Sequence, residues 1–160
     1  MKKLLLCCLL LAGFAAAGFA QNIEEGAAAP DFTARQVDGT DFTLSSLQGK
    51  YVLLDFWGSW CPWCIKGFPA MKEAYARHKD KVEFVGIACR DSEAKWKEAT
   101  AKYEIPWISI LNPSGDGDLS KVYAVRGYPT KILLDPKGKI VKVVLGEDPE
   151  FYPYLDSVLK

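Results

Sequence analysis

The apolar residues of this chain recur with two periods. Short runs that are apolar throughout mark strands, and runs with apolar residues three and four apart mark helices. Phe32–Val37 and Phe42–Leu44 flank Asp38-Gly39, a turn pair that predicts a β-hairpin. Tyr51–Trp57 (YVLLDFW) is almost continuously apolar, the pattern of a strand covered on both faces. From about Pro62 to His78 the stripe Cys64, Phe68, Met71, Tyr75, His78 steps by four, three, four and three, which predicts a helix. Pro62 suits its first position, where a missing N–H is no loss. Val82–Ala88 (VEFVGIA) reads as a second apolar strand. Ser92 is placed to cap a helix that runs to Tyr103, with Trp96, Ala99 and Tyr103 on one face. Trp107–Leu111 predicts a short strand, Asn112–Gly117 (NPSGDG) a turn cluster and Leu119–Val125 a short helix. Thr130–Asp135 and Lys139–Leu145 flank Pro136-Lys137-Gly138 as a hairpin, and a last helix starts at Asp148 or Pro149 and ends near Leu159.

This order, an N-terminal hairpin and then βαβαβαββα, predicts an α/β sheet with helices on both faces and antiparallel strands at its close. A chain of 160 residues without an internal repeat or second linker reads as one domain. That length buries about two-thirds of the unfolded surface, so the core needs no disulfide staples. Residues 1–20 fall outside the domain. Lys2 and Lys3 precede a short apolar run from Leu4 to Ala12, and small residues continue to Ala20. This is the pattern of a cleaved signal peptide. The competing reading is an uncleaved membrane anchor, but the run before Gly13 is about half the ~20 residues a span needs. Residues 21–29 are small and polar and read as a flexible leader, which leaves 30–160 as the domain.

Charge then narrows the functions. Lys and Arg number 20 and so do Asp and Glu, so no basic excess points to nucleic acid. Without Lys2 and Lys3 the remaining chain has 18 basic against 20 acidic residues. Cysteine narrows them further. Cys7 and Cys8 lie in the expected signal peptide, which leaves Cys61, Cys64 and Cys89 in a compartment where disulfides persist. Zinc is disfavoured, because one C-x-x-C is accompanied by a single histidine, His78, and a single further cysteine. Covalent haem needs histidine after the second cysteine, where Ile65 stands. No cofactor or metal is therefore expected.

Cys61 and Cys64 fall where a buried strand gives way to a helix. Unpaired N–H groups and the positive end of the helix dipole both favour thiolate over thiol. The Cys61 pKa is expected below the free value of about 8.5. Cys64 lies one turn further in, on the buried stripe and on the same side of the helix. An exposed, acidic thiol beside a buried partner suits dithiol–disulfide exchange.

The run Asp55–Cys64 (DFWGSWCPWC) resembles the strand–turn–helix active site of the thioredoxin family, and Arg126–Thr130 (RGYPT) resembles its second signature. The hairpin, a βα-type insert within Glu83–Gly127 and the leader resemble the TlpA/ResA-like extracytoplasmic branch. The resemblance covers roughly residues 30–160. It implies a thioredoxin-like fold, with a central mixed sheet flanked by helices. It also implies that Cys61 attacks, Cys64 resolves, and Pro129 follows a cis bond and lies against the disulfide. Trp60, Pro62, Trp63 and Tyr128 would meet substrate. Asp55 would relay a proton to or from Cys64. Two departures stand out. The lysine that often accompanies this acid has no counterpart in Val82–Ala88, and the glutamate that ResA-like chains often carry three residues after the second cysteine is here Gly67.

The expected function is thiol–disulfide exchange with protein substrates in the periplasm or outside the cell, as a reductase fed by a membrane or periplasmic electron donor. The Pro62-Trp63 dipeptide leaves the direction of exchange open. Two alternatives use the same residues. A thiol peroxidase needs a Thr-x-x-Cys pocket, whereas Gly58 stands three before Cys61. A Cu(I) chaperone would use the dithiol, with no Met-rich stretch to support it. Cys89 reads as a small buried residue at a strand end.

Overall fold

The computed structural model describes residues 23–159; the expected signal peptide, its cleavage and the alternative anchor lie outside the described residues. A two-stranded hairpin of β1 (Thr33–Arg35) and β2 (Asp41–Thr43) comes first, closed over Asp38-Gly39. Gly39 takes φ +88°, and the Asp38 carboxylate accepts from the backbone N–H and the hydroxyl of Thr40. Glycine at the turn removes the steric cost of that backbone conformation.

The main sheet contains β3 (Tyr51–Trp57), β4 (Val82–Ala88), β5 (Ile108–Leu111), β6 (Thr130–Leu134) and β7 (Ile140–Leu145), in the order β5-β4-β3-β6-β7. β3, β4 and β5 run parallel, and β6 and β7 are antiparallel to their neighbours. The helices are α1 (Pro62–His78), α2 (Glu93–Lys102), α3 (Leu119–Val122) and α4 (Phe151–Val158). Parallel strands need crossovers, and α1 and α2 supply them. The nearly continuous apolar runs in β3 and β4 follow from their central place, covered above and below.

Two clusters fill the two faces of the sheet. Leu53, Trp57, Phe84 and Leu133 meet Phe68 and Met71 of α1, Trp96 of α2 and Phe151 and Leu155 of α4. Val52, Leu54, Phe56, Val85, Ile87 and Ile132 meet α3 and the hairpin through Leu119, Tyr123, Ala34 and Phe42. His78 ends α1 and is hydrogen-bonded through Nε2 to the Asp156 carboxylate of α4, which joins the two helices at their far ends.

Three local differences from the sequence reading have physical causes. The short helix stops at Val122 rather than Val125, because Ala124 turns left-handed (φ +48°) and the Val125 N–H closes back on the Ser120 carbonyl at 2.8 Å. The last helix begins at Phe151, after Asp148 has turned the chain by accepting from the Glu150 N–H. Residues 23–29, expected as a loose leader, are held against the start of β7. The Gly26 N–H donates to Ile140 at 2.7 Å, and Ala28 bridges Lys139.

Candidate active site

β3 ends at Trp57, and the chain turns through Gly58-Ser59-Trp60 before α1 begins. Asp91 holds this turn from the end of β4, accepting from the Ser59 backbone N–H at 2.8 Å and from its hydroxyl at 2.5 Å. Glycine at 58 leaves room for the indole where it stands, since a Cβ would lie 2.5 Å from the Trp60 Nε1 and 3.0 Å from the Cys89 carbonyl oxygen. Without that Cβ the indole folds back and donates to the Cys89 carbonyl at 2.9 Å.

Cys61 is the N-cap of α1, and Cys64 lies in its first turn. The two are joined as a disulfide, with Cα atoms 5.3 Å apart. The Cys64 backbone N–H points at the Cys61 sulfur at 3.2 Å, and this contact stabilises negative charge there when the bond opens. The expected contrast of an exposed attacker and a buried partner is not present in this disulfide state. Cys61 is 3% and Cys64 2% exposed, and both belong to the cluster beneath α1.

The rim is aromatic. Trp60 is 46% and Trp63 62% exposed. Trp60 stands edge-on to Tyr128 at 5.4 Å, while Trp63 takes the Lys66 ammonium over its ring instead of packing on Trp60. Pro62 is exposed between the cysteines, and Pro129 is buried after a cis Tyr128–Pro129 bond. Arg90, at φ +56°, reaches over the rings of both Tyr128 and Trp60. Beyond Tyr128 a groove of about 660 Å³ continues, lined by Arg90, Lys121 and Arg126. Among the described residues, no three His, Cys, Asp or Glu side chains are gathered as a metal site requires.

Below the cysteines lies Asp55, in the middle of the central strand and 2% exposed. Alternation along β3 turns it to the same face as Leu53 and Trp57, the face that α1 covers. Burial pushes its carboxyl above the ordinary range, opposed by the charge of Lys131 and reinforced by that of Glu147. The partner lysine, sought on the strand Val82–Ala88, comes from the other neighbour. Lys131 stands opposite Asp55 in β6, with its Nζ 3.6 Å from the carboxylate. Lys131 also donates to Glu147 at 2.7 Å. Local sequence pattern groups neither Lys131 nor Glu147 with the cysteines. A sequence signal for Lys131 existed: a lone cation inside an apolar strand, in a chain whose other central strand held a lone acid. Register, which sequence does not display, brings the two together.

Comparison with known proteins agrees with this geometry. The Redoxin family model matches residues 24–159. The thiol-disulfide oxidoreductase ResA of Bacillus subtilis is 36% identical over 127 residues, covering 79% of this chain and 70% of that protein. The thioredoxin domain of a thiol-disulfide oxidoreductase from Bacteroides vulgatus superposes with a TM-score of 0.79 at 32% identity, covering 86% of this chain and 99% of that one. A secreted disulfide oxidoreductase of Mycobacterium tuberculosis superposes with a TM-score of 0.67 at 27% identity, covering 79% and 95%. With its C-x-x-C at a helix start, its proline loop beside it and its five-stranded mixed sheet, the chain belongs to the Redoxin family, alongside the ResA-like thiol–disulfide oxidoreductases.

Proposed function

We propose that the protein is an extracytoplasmic thiol–disulfide oxidoreductase that reduces disulfides in protein substrates. The observation that carries this reading is the placement of Cys61. Its sulfur caps α1 and receives the Cys64 N–H, between the exposed Trp60 and Trp63 in the chain. In the reduced protein the Cys61 thiolate attacks a substrate disulfide. A mixed disulfide forms, and one substrate sulfur leaves as thiolate and takes a proton from solvent. Cys64 then gives its proton to Asp55 and attacks the Cys61 sulfur. The second substrate sulfur leaves, and two electrons have passed from protein to substrate. A dithiol electron donor restores the pair, with Asp55 returning the proton to Cys64.

Substrates are proteins because the rim is broad and aromatic and runs into a groove of about 660 Å³. The leader pattern of residues 1–20 and the secreted relative support a place outside the cytoplasm. Among the described residues no helix is long and apolar enough to cross a membrane.

The test is twofold. Cys64→Ala should trap substrates as mixed disulfides on Cys61, recovered by non-reducing electrophoresis and mass spectrometry. The reduction potential of the Cys61–Cys64 couple should lie below about −250 mV; a value near −120 mV makes the protein an oxidant instead. Full reductase turnover by Cys64→Ala with no trapped species rejects the assignment.

A further inference from the structure

Gly67 lies on α1 one turn beyond Cys64 and faces the core. The space its missing side chain leaves is occupied. A Cβ there would stand 2.3 Å from the Glu147 Oε1, 2.5 Å from its carboxyl carbon and 2.7 Å from Oε2. Glu147 arrives from the loop between β7 and α4. Gly146, at φ +84°, turns the chain inward, and its N–H is tied to the Pro129 carbonyl at 2.8 Å. The carboxylate therefore comes from 80 residues further along the sequence to the turn of α1 that follows Cys64.

There it meets Lys131. This lysine is 3% exposed and has two carboxylates within ion-pair distance, at unequal range. Glu147 takes a hydrogen bond at 2.7 Å, while Asp55 stands 3.6 Å away and its Oδ1 has no hydrogen-bond partner among the described residues. Asp55 thus feels the lysine's charge at longer range than Glu147 does. The other ionisable groups within electrostatic reach of it are the Tyr152 hydroxyl of α4, which is buried without a partner among the described residues, and the Cys89 thiol just past β4; Cys64, which this mechanism pairs with Asp55, is held in the disulfide here. Of the three charged members only Glu147, with 27% of its side chain exposed, is in direct exchange with solvent.

We propose that Glu147 is a positioning residue that sets the protonation of Asp55 by competing for Lys131 from the space Gly67 leaves open. The proposal rests on the reading of Asp55 as the base for Cys64. The charge of Glu147 opposes ionisation of Asp55, and its hydrogen bond holds the Lys131 Nζ closer to itself, at 2.7 Å against 3.6 Å from Asp55. Asp55 is thereby kept a strong enough base to take the Cys64 proton near neutral pH. Neutralising Glu147 relieves both effects, so Asp55 ionises at lower pH and becomes a weaker base.

The experiment follows the rate at which Cys64 resolves a pre-formed mixed disulfide on Cys61, as a function of pH. In the unmodified protein the rate rises along an acid limb set by Asp55. Asp55→Asn abolishes that limb. Glu147→Gln moves it to lower pH, and Lys131→Met moves it to higher pH. The decisive variant pairs Glu147→Ala with Gly67→Asp, which puts a carboxylate back in the same space from α1. It returns the limb towards its original position, an outcome that a merely structural role for Glu147 does not produce. If Asp55→Asn leaves the limb in place, the reading of Asp55 fails. If Asp55→Asn removes it while the Glu147→Gln profile superimposes on the original, the reading stands and the role of Glu147 is overturned. Thermal melts of each variant confirm that folded protein is compared, and Glu147→Gln keeps the test open should Glu147→Ala not fold.

Discussion

The two faces of the central sheet are built on different plans. Beneath α3 and the hairpin, the sheet presents Val52, Leu54, Phe56, Val85, Ile87, Ile132 and Leu134, an apolar layer. The Tyr123 hydroxyl packed into it donates to the Pro30 carbonyl. Beneath α1, α2 and α4 the same three central strands present Leu53, Asp55, Trp57, Phe84, Gly86, Ala88, Lys131 and Leu133. Two buried charges stand there, and so do all four buried side-chain atoms that lack a hydrogen-bond partner among the described residues: Asp55 Oδ1, Trp57 Nε1, Trp107 Nε1 and Tyr152 Oη. Gly86, the neighbour of Asp55 in β4, bares the backbone so that the Trp107 and Trp57 indole nitrogens come within 3.0 and 3.2 Å of where its Cβ would stand. A buried polar group without a partner costs stability. Both faces are packed, but only the second also holds buried polar groups in a state that folding alone does not favour.

The sharpest way to separate the two faces is to remove chemistry without touching packing. Cys64→Ser changes one atom beneath α1. It is expected to abolish catalytic turnover with a dithiol donor, while circular dichroism and the melting profile of the reduced protein remain close to those of the unsubstituted chain. Loss of folding in the reduced variant would mean that the Cys64 sulfur is needed for packing and the division is false.

Asp55→Asn tests whether the reactive face costs stability. Burial raises the carboxyl pKa in the folded protein, whereas the unfolded chain keeps the ordinary value. Between those two values the folded state binds more protons, so stability falls as pH rises through that window. Above it the folded protein carries a buried charge that the amide removes. The variant is expected to melt at a higher temperature than the unsubstituted protein at neutral pH, to lose this part of the pH dependence, and to resolve mixed disulfides about 10²-fold more slowly. A lower melting temperature at neutral pH would show that the ion pair with Lys131 outweighs the burial of Asp55.

Phe56→Ala is the reciprocal experiment. Phe56 is fully buried on the apolar face, 5.5 Å from the Tyr123 ring. Truncation leaves a cavity and should cost about 3–5 kcal/mol in denaturant titrations. The exchange rate per folded molecule, measured well below the melting temperature, should stay within about twofold. A large loss of rate would mean that the two faces are mechanically coupled through β3.

The apolar face was the more legible of the two. Runs such as YVLLDFW and VEFVGIA announce strands covered on both sides, and the strand and helix bounds they predict match the structure within a few residues. The cysteines were legible because their spacing and their position at a strand–helix junction carry the chemistry. The rest of the site depends on long-range geometry. Lys131 is 76 residues from Asp55 in sequence and meets it only through the β3–β6 register. Glu147 is meaningful only because residue 67, far away in the chain, is glycine. Neither relation has a local sequence pattern. The same holds for burial of Cys61, which depends on the neighbours that the fold brings around the N-terminus of α1.

Cys89 gives the smallest expected effect and the most discriminating one. It sits at the end of β4, fully buried, and belongs to the apolar cluster rather than to the one around Cys61 and Cys64. Its thiol lies 3.4 Å from the Ile87 carbonyl and accepts from the Ser120 hydroxyl, and burial pushes its pKa up to about 11. At neutral pH it is a thiol with no path to a disulfide, although its carbonyl anchors Trp60 at the rim. Cys89→Ser keeps that carbonyl and replaces the sulfur with a hydroxyl that can donate to the same Ile87 oxygen. The change should cost about 1 kcal/mol or less and leave exchange rates and reduction potential unchanged. In the native protein, iodoacetamide should modify Cys61 after reduction and spare Cys89, as counted by intact mass. Rapid labelling of Cys89, or mixed disulfides recovered on it, would place a second reactive sulfur on the face assigned here to packing alone.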